Sequence, residues 1–162
     1  MRGFVAASFL TLALLSAVPA AAAADAAQRA YARGQYILSA ELFLRQARRG
    51  RPVAQTFLGY QYQNGWGVPK SYEEAAEWFH RAAEQGEPTA QFYLGLLYDR
   101  GQGVDENPIE AAKWLDLAAG HAPRDRREYW HSMREAVSGK LTLEELTEAR
   151  RRADARTPIR ER

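Results

Sequence analysis

The sequence repeats itself at a fixed spacing of 36 residues. Gly59 is answered by Gly95, and the identities around it move in step. Ala54, Gln55, Leu58, Tyr62, Gly65, Gly67 and Val68 recur as Ala90, Gln91, Leu94, Tyr98, Gly101, Gly103 and Val104. Ala75, Ala76, Trp78, Ala82 and Ala83 recur as Ala111, Ala112, Trp114, Ala118 and Ala119. A period in the range of about 20–50 residues marks a solenoid, in which each small unit buries its apolar face by stacking on the next. As a rule such a chain works by presenting surface rather than by doing chemistry.

Each full repeat reads as two antiparallel helices. Helix A of the first spans roughly 52–63, with Ala54, Leu58, Gly59 and Tyr62 on one face. Gly59 in mid-helix costs about 1 kcal/mol in propensity relative to Ala, an expense explained if helix B approaches the backbone there. Asn64-Gly65-Trp66-Gly67-Val68 then reverses the chain. Helix B starts at Ser71, whose spacing to Glu74 is that of a capping box. Its buried stripe is Ala75, Ala76, Phe79, Ala82 and Ala83. Gly86 ends it and Pro88 opens the next helix A. In the second unit Asn107 is the N-cap, Pro108 follows at N1 and Glu110 at N3.

The period extends backwards, since Tyr36, Ala40, Phe43, Ala47 and Gly50 match Tyr72, Ala76, Phe79, Ala83 and Gly86. Residues 35–50 therefore read as a helix B, with an abbreviated helix A over Asp25–Arg33 closed by Gly34. Forward, the repeat fails. Residues 124–138 form a different amphipathic helix with Tyr129, Trp130, Met133 and Val137 on one side. A last helix begins at Thr142, with Glu145 completing a capping box and Leu141 and Leu146 placed as a hydrophobic staple. Leu143, Leu146, Ala149 and Ala153 continue its stripe, and these helices are expected to cover the open end of the last repeat.

Residues 1–24 carry one charge, Arg2, an apolar run from Phe4 to Val18, Pro19 and five alanines. That is the pattern of a secretory signal peptide cut between Ala24 and Asp25, which places the protein in the periplasm or outside the cell. The competing reading is an uncleaved anchor that tethers an envelope complex subunit, since Phe4–Ala24 just reaches the length of about 20 residues a membrane span needs. The chain contains no cysteine, which excludes disulfides, thiolate zinc sites, a cysteine nucleophile and a lipid-modified N-terminal cysteine. Formal charge is only +2 across 162 residues, a balance that gives no footing for nucleic-acid binding.

The pattern Ala-Gln-x-x-Leu-Gly-x-x-Tyr-x-x-Gly-x-Gly-Val, followed by Ala-Ala-x-Trp and Ala-Ala, resembles the Sel1-like repeat, a relative of the tetratricopeptide repeat with a longer inter-helix loop. The resemblance covers about half the chain. It implies an all-α fold: a short right-handed α/α solenoid of helix hairpins with a C-terminal capping helix pair. The expected layout is a signal peptide at 1–24, a partial capping repeat at 25–50 and full repeats at 51–86 and 87–120. Capping helices follow at 121–156 and a disordered tail at 157–162. Family members act mostly as adaptors in protein complexes, so the resemblance implies an exported interaction scaffold in envelope assembly or secretion, partnered by another protein or peptide. Some cysteine-rich relatives are linked to peptidoglycan or β-lactam binding, so a peptidoglycan- or β-lactam-interacting protein is the alternative the resemblance implies, although no residue here transfers that activity.

Nothing in the sequence assembles a catalytic, cofactor or metal site. His80, His121 and His131 lack the i, i+4 spacing of a helical metal pair. Ser71 is a cap, and no Gly-x-Ser-x-Gly occurs. Glu73, Glu74 and Glu77 sit where acidic groups complement a helix dipole. The expectation is a non-enzyme without cofactor. What remains is the helix A surface away from the seam: Thr56, Tyr60, Gln63 and Asn64 in one unit, Phe92, Leu96, Asp99 and Arg100 in the next. These are the candidate partner-binding residues. For Phe92 and Leu96, burial under the C-terminal helices is the alternative. Trp66 reads either as a ligand-stacking residue or as packed on its own repeat. Two full units and one partial one make a short array that leaves self-association open.

Overall fold

The computed structural model describes residues 20–155. The leader expected over 1–24, apart from residues 20–24, and the tail expected over 157–162 lie outside the described residues. Among the described residues the chain forms eight helices and no strand, an α/α solenoid. They are α1 (Ala20–Ala32), α2 (Tyr36–Ala47), α3 (Pro52–Asn64), α4 (Tyr72–Glu84), α5 (Pro88–Arg100), α6 (Pro108–Ala119), α7 (Arg127–Ser138) and α8 (Leu143–Asp154). From α1 to α7 each helix packs on the next in the chain. None is long and apolar enough to cross a membrane.

Alanine makes the seams. Ala75, Ala76, Ala82 and Ala83 on α4, and Ala111, Ala112, Ala118 and Ala119 on α6, are all buried. Because alanine adds so little bulk, the helix A partner comes in close, and the mid-helix glycines complete the approach. A methyl group placed on Gly59 would meet the Phe79 ring at 2.8 Å, and one on Gly95 would meet Leu115 at 2.7 Å. The two glycines occupy the same niche one repeat apart.

The end of each hairpin is fastened in the same way. The Ser71 N–H donates to the Tyr62 carbonyl and the Asn107 N–H to the Tyr98 carbonyl, both at 3.0 Å. Gln55 Nε2 donates to the Ala47 carbonyl (3.1 Å) and Gln91 Nε2 to the Ala83 carbonyl (3.3 Å), tying each helix A to the end of the preceding helix B. Those carbonyls also accept from the Gly50 and Gly86 N–H groups at 2.9 Å, so each glutamine adds a second donor at the end of a helix B. At Ser71 only half of the expected capping box forms. Its Oγ accepts from the Glu74 N–H at 3.1 Å, but its hydroxyl turns to Glu73 and its N–H goes to Tyr62. The Thr142–Glu145 box is complete. Glu87 caps α5 by accepting from the Ala90 N–H at 2.6 Å, a cap that the sequence reading passed over.

α1 runs Ala20–Ala32, and its part within the expected span from Asp25 is shorter than the 13 residues of α3 and α5. The connection is short too: residues 33–35 join α1 to α2, where 65–71 join α3 to α4. As expected of capping helices, α7 and α8 both pack on α6, helix B of the last repeat. The turn that would launch a further unit is absent because Gly50 and Gly86, at φ +80° and +84°, are followed in the period by Ala122. A side chain resists that conformation, so the chain leaves the register there. Two expectations about the C-terminal helices are corrected, the first being the stripe of α8. Ala149 and Ala153 are buried and Leu146 half-buried, but Leu143 is exposed. Tyr129, expected on the buried side of α7, is exposed as well, while Trp130 and Val137 are buried.

With so little apolar surface on α8, charge supplements its docking. Arg152 bonds Glu110 of α6 at 2.8 Å and Glu148 of its own helix at 2.6 Å, and the buried Lys113 bonds Glu110 at 2.7 Å. Burial acts to raise the Glu110 carboxyl, but hydrogen bonds from Lys113 and Arg152 outweigh it and hold it below the ordinary range. Hydrogen bonds from Arg151 and Arg152 lower Glu148 to about 2. Both carboxyls are depressed by folding, so their stabilising effect is complete above the usual glutamate value of 4.5 and fades as pH falls toward about 2. Hydrogen exchange followed from pH 7 to about 2 should show α8 loosening before α3 to α6. In a Glu110→Gln, Glu148→Gln double variant that acid step should vanish. An unchanged step would mean the network does not hold α8.

Candidate functional site

Helix A of each unit turns one face to a neighbouring helix B and leaves another free. The free faces of α3 and α5 meet α1 and the segment before α7 around a groove of about 400 Å³. Its lining combines Val53, Thr56, Phe57 and Tyr60 of α3 with Thr89 and Tyr93 of α5, and adds Tyr31, Glu87 and Arg126. Phe57 and Tyr93 are one period apart, as are Val53 and Thr89, so the two helices contribute the same positions.

The aromatic rings form a continuous chain. Tyr31 meets Phe57 edge-on with centroids 5.4 Å apart, and Tyr60 meets Tyr93 at 5.4 Å and Trp66 at 5.4 Å. Tyr93 stacks on Phe79 at 5.2 Å, and Phe92 stacks on Trp130 at 4.7 Å. Such contacts fix ring orientation before any ligand arrives. Burial pushes the Tyr31 phenol up to about 12, with the phenols of Tyr60, Tyr36 and Tyr93 reinforcing the effect. Burial likewise raises Tyr93. These hydroxyls stay protonated throughout the physiological range.

The groove also carries one carboxylate and one guanidinium. Glu87 Oε2 accepts from the Ala90 N–H and lies 3.1 Å from the Thr56 hydroxyl, which has the Pro52 carbonyl as its other acceptor at 2.9 Å. Arg126 leans on the Trp130 ring at 5.7 Å. Among the described residues no group of three or more histidines and carboxylates is close enough to hold a metal ion.

A family model described as the Sel1 repeat matches residues 52–87 and 88–121. The chain carries two Sel1 repeats. The matched spans begin one residue later than the period alone suggests. Among solved structures, the chain resembles a protective antigen present in uropathogenic Escherichia coli strains displaying an SLR fold (29% identity, TM-score 0.76). That match covers 84% of this chain and 29% of the antigen. It also resembles a Sel1 repeat protein from Oxalobacter formigenes at 31% identity and a TM-score of 0.63, covering 83% of this chain and 54% of that one. The chain thus spans under two thirds of either relative. A comparison with curated proteins returned no match.

Of the eight candidate binding residues, the first Sel1 repeat contributes two to the groove, Thr56 and Tyr60. Gln63 is half-buried, and Asn64 turns its amide back to the Tyr60 carbonyl at 2.8 Å. In the second Sel1 repeat Phe92 and Leu96 are buried in the cluster that includes Trp130 and Val137, so neither is open to a partner. Asp99 is bound by Lys140 at 2.6 Å, a clasp between α5 and the turn before α8. Arg100 is exposed, outside the groove. Trp66 packs on its own repeat, one of its two expected roles, and reaches the preceding unit as well. It stacks on Tyr36 of the preceding unit at 5.1 Å while touching Tyr60 of its own. The residues missed were Tyr31, Val53, Phe57, Glu87, Thr89, Tyr93 and Arg126. A search for shared chemistry at the period, rather than shared identity, would have found Phe57 and Tyr93.

Proposed function

We propose that this protein is an exported interaction scaffold that holds a segment of another polypeptide in the groove between α3 and α5, in service of envelope assembly or secretion. Sel1-repeat proteins are generally protein–protein interaction scaffolds. The observation that carries the reading is the groove: open, walled by rings already locked against one another, and within the range of about 300–1,000 Å³ common to binding sites. Export is supported by the leader pattern of residues 1–24. Cleavage at Ala24 would leave α1 to begin at Asp25, still with the buried Ala27 and Ala30 and with Tyr31 at the groove.

Site-specific photocrosslinking in the native cells tests the reading. A photoreactive residue at position 89 should give an adduct with another protein, and the same group at position 100 should not. The adduct should disappear in a Tyr60→Ala background. Equal adducts from both positions, or none from position 89, would remove the groove as the binding site. A mature N-terminus near Asp25 supports export, and an intact Met1 argues for the tether.

A further inference from the structure

We infer that a second copy of this chain docks on the outward faces of α2 and α4. Two molecules pair antiparallel, with α2 of each lying on α4 of the other. The contact shares no residue with the groove and stands apart from the reading above.

The repeat builds one outward face twice and gives it opposite chemistry. At about 100° per residue, Ile37, Leu38, Glu41, Arg45, Arg48 and Arg49 fall within an arc of about 120° on α2 and its C-terminal turn. All six are exposed. One period on, the same arc of α4 carries Glu73, Glu74, Glu77, Arg81, Glu84 and Gln85, again all exposed. The first face has three arginines against one glutamate, net +2, and the second four glutamates against one arginine, net −3. Arg45, Arg48 and Arg49 make no ion pair among the described residues. On α4, Arg81 meets Glu77 and His80 meets Glu84, each at 3.4 Å, while Glu73 and Glu74 have no cationic partner there.

Shape agrees with charge. Ile37 is 71% exposed and Leu38 47%, far more than aliphatic side chains in the later helices B. Beside Glu73 and Glu77 lies a groove of about 330 Å³ between α4, α5 and the 101–107 arch, with Tyr98 and Val104 half-buried in its wall. An aliphatic side chain followed by arginines suits a part-apolar groove rimmed by carboxylates.

The order of the two faces selects the occupant. An unrelated acidic protein or an anionic lipid surface would answer α2 and be repelled by α4 one repeat away. A second copy turned about a two-fold axis answers both, because each basic face then meets an acidic one. Parallel pairing would set like charge on like. On α6 the corresponding positions are already engaged: Lys113 is buried, and Glu110 bonds Arg152 of α8. The open ridge is therefore two units long. Pairing along it leaves the helix A side uncovered, so the dimer presents two grooves and can hold a divalent partner by avidity.

Sedimentation equilibrium of the full chain tests the inference. The protein should form a dimer whose affinity falls at least about tenfold between about 50 and 500 mM salt. An Arg45→Glu, Arg48→Glu variant should lose at least about tenfold in dimer affinity, and so should a Glu73→Arg, Glu77→Arg variant. Mixed in equal amounts, the two variants should dimerise within about threefold of the parent, since each reversed face then meets a reversed face. That recovery also shows that both variants are folded. Ile37→Ser should weaken the dimer about three- to tenfold. A chain that stays monomeric, a mixture that does not recover, or assemblies that grow past the dimer with concentration each overturn the inference. A monomer that binds anionic phospholipid vesicles through Arg45 and Arg48 overturns it too and gives the α2 face to lipid.

Discussion

Replacing Gly103 by alanine is expected to destabilise the protein by about 3 kcal/mol or more, a large part of what a domain of this size possesses. Two effects add. Gly103 sits at φ +71°, where a side chain costs roughly 1–2 kcal/mol. A methyl group there would also run into the backbone of Tyr72 and Glu73, at the first turn of α4. Backbone cannot swing aside as a side chain can, so the loop must lift off α4. Gly67 makes the same approach to Tyr36 and Ile37 at the start of α2, and its alanine variant should behave alike. Urea unfolding monitored by circular dichroism measures the effect. A midpoint within experimental scatter of the parent would mean the loops do not bear on the preceding units.

Trp130→Ala should cost about 3–5 kcal/mol. Trp130 is 2% exposed, stacks on Phe92 at 4.7 Å and 7°, and belongs to the cluster that joins α5, α6, α7 and α8. Removing it opens a cavity where α7 meets α5 and uncovers Phe92 and Leu96. The loss should therefore be accompanied by binding of a hydrophobic dye and by faster hydrogen exchange in α7, with α3 and α4 little changed. Trp130→Phe should recover about half of the loss, since it keeps the stack. If alanine and phenylalanine variants are equally stable to the parent, α7 is not a structural cover.

The sequence disclosed most where two residues share both identity and environment. Gly59 and Gly95, the paired alanines and the paired Gln55 and Gln91 occupy matching niches, so their recurrence stated the fold in advance. The groove was harder to read because its matched positions changed identity: Phe57 became Tyr93, and Val53 became Thr89. Arg126 and Tyr31 lie outside the two full repeats, and only folding brings them to the groove. In the first unit the short connection removes four residues from the period, so the fixed offset finds α2 alone, and α1 was legible only as the stretch closed by Gly34. At the other end, burial of Phe92 and Leu96 under the C-terminal helices was legible as an alternative, but the period ends at Ala122 and so could not name Trp130 as the residue that covers them.

The close fit of Gly67 on α2 and of Gly103 on α4 always points one way, toward chain already made. The two long arches, 65–71 and 101–107, both land on helices that precede them. A polypeptide threading N-terminus first through a narrow channel would therefore find those two resting places ready on arrival, while the Phe92 and Leu96 face of α5 stays open until α7 emerges.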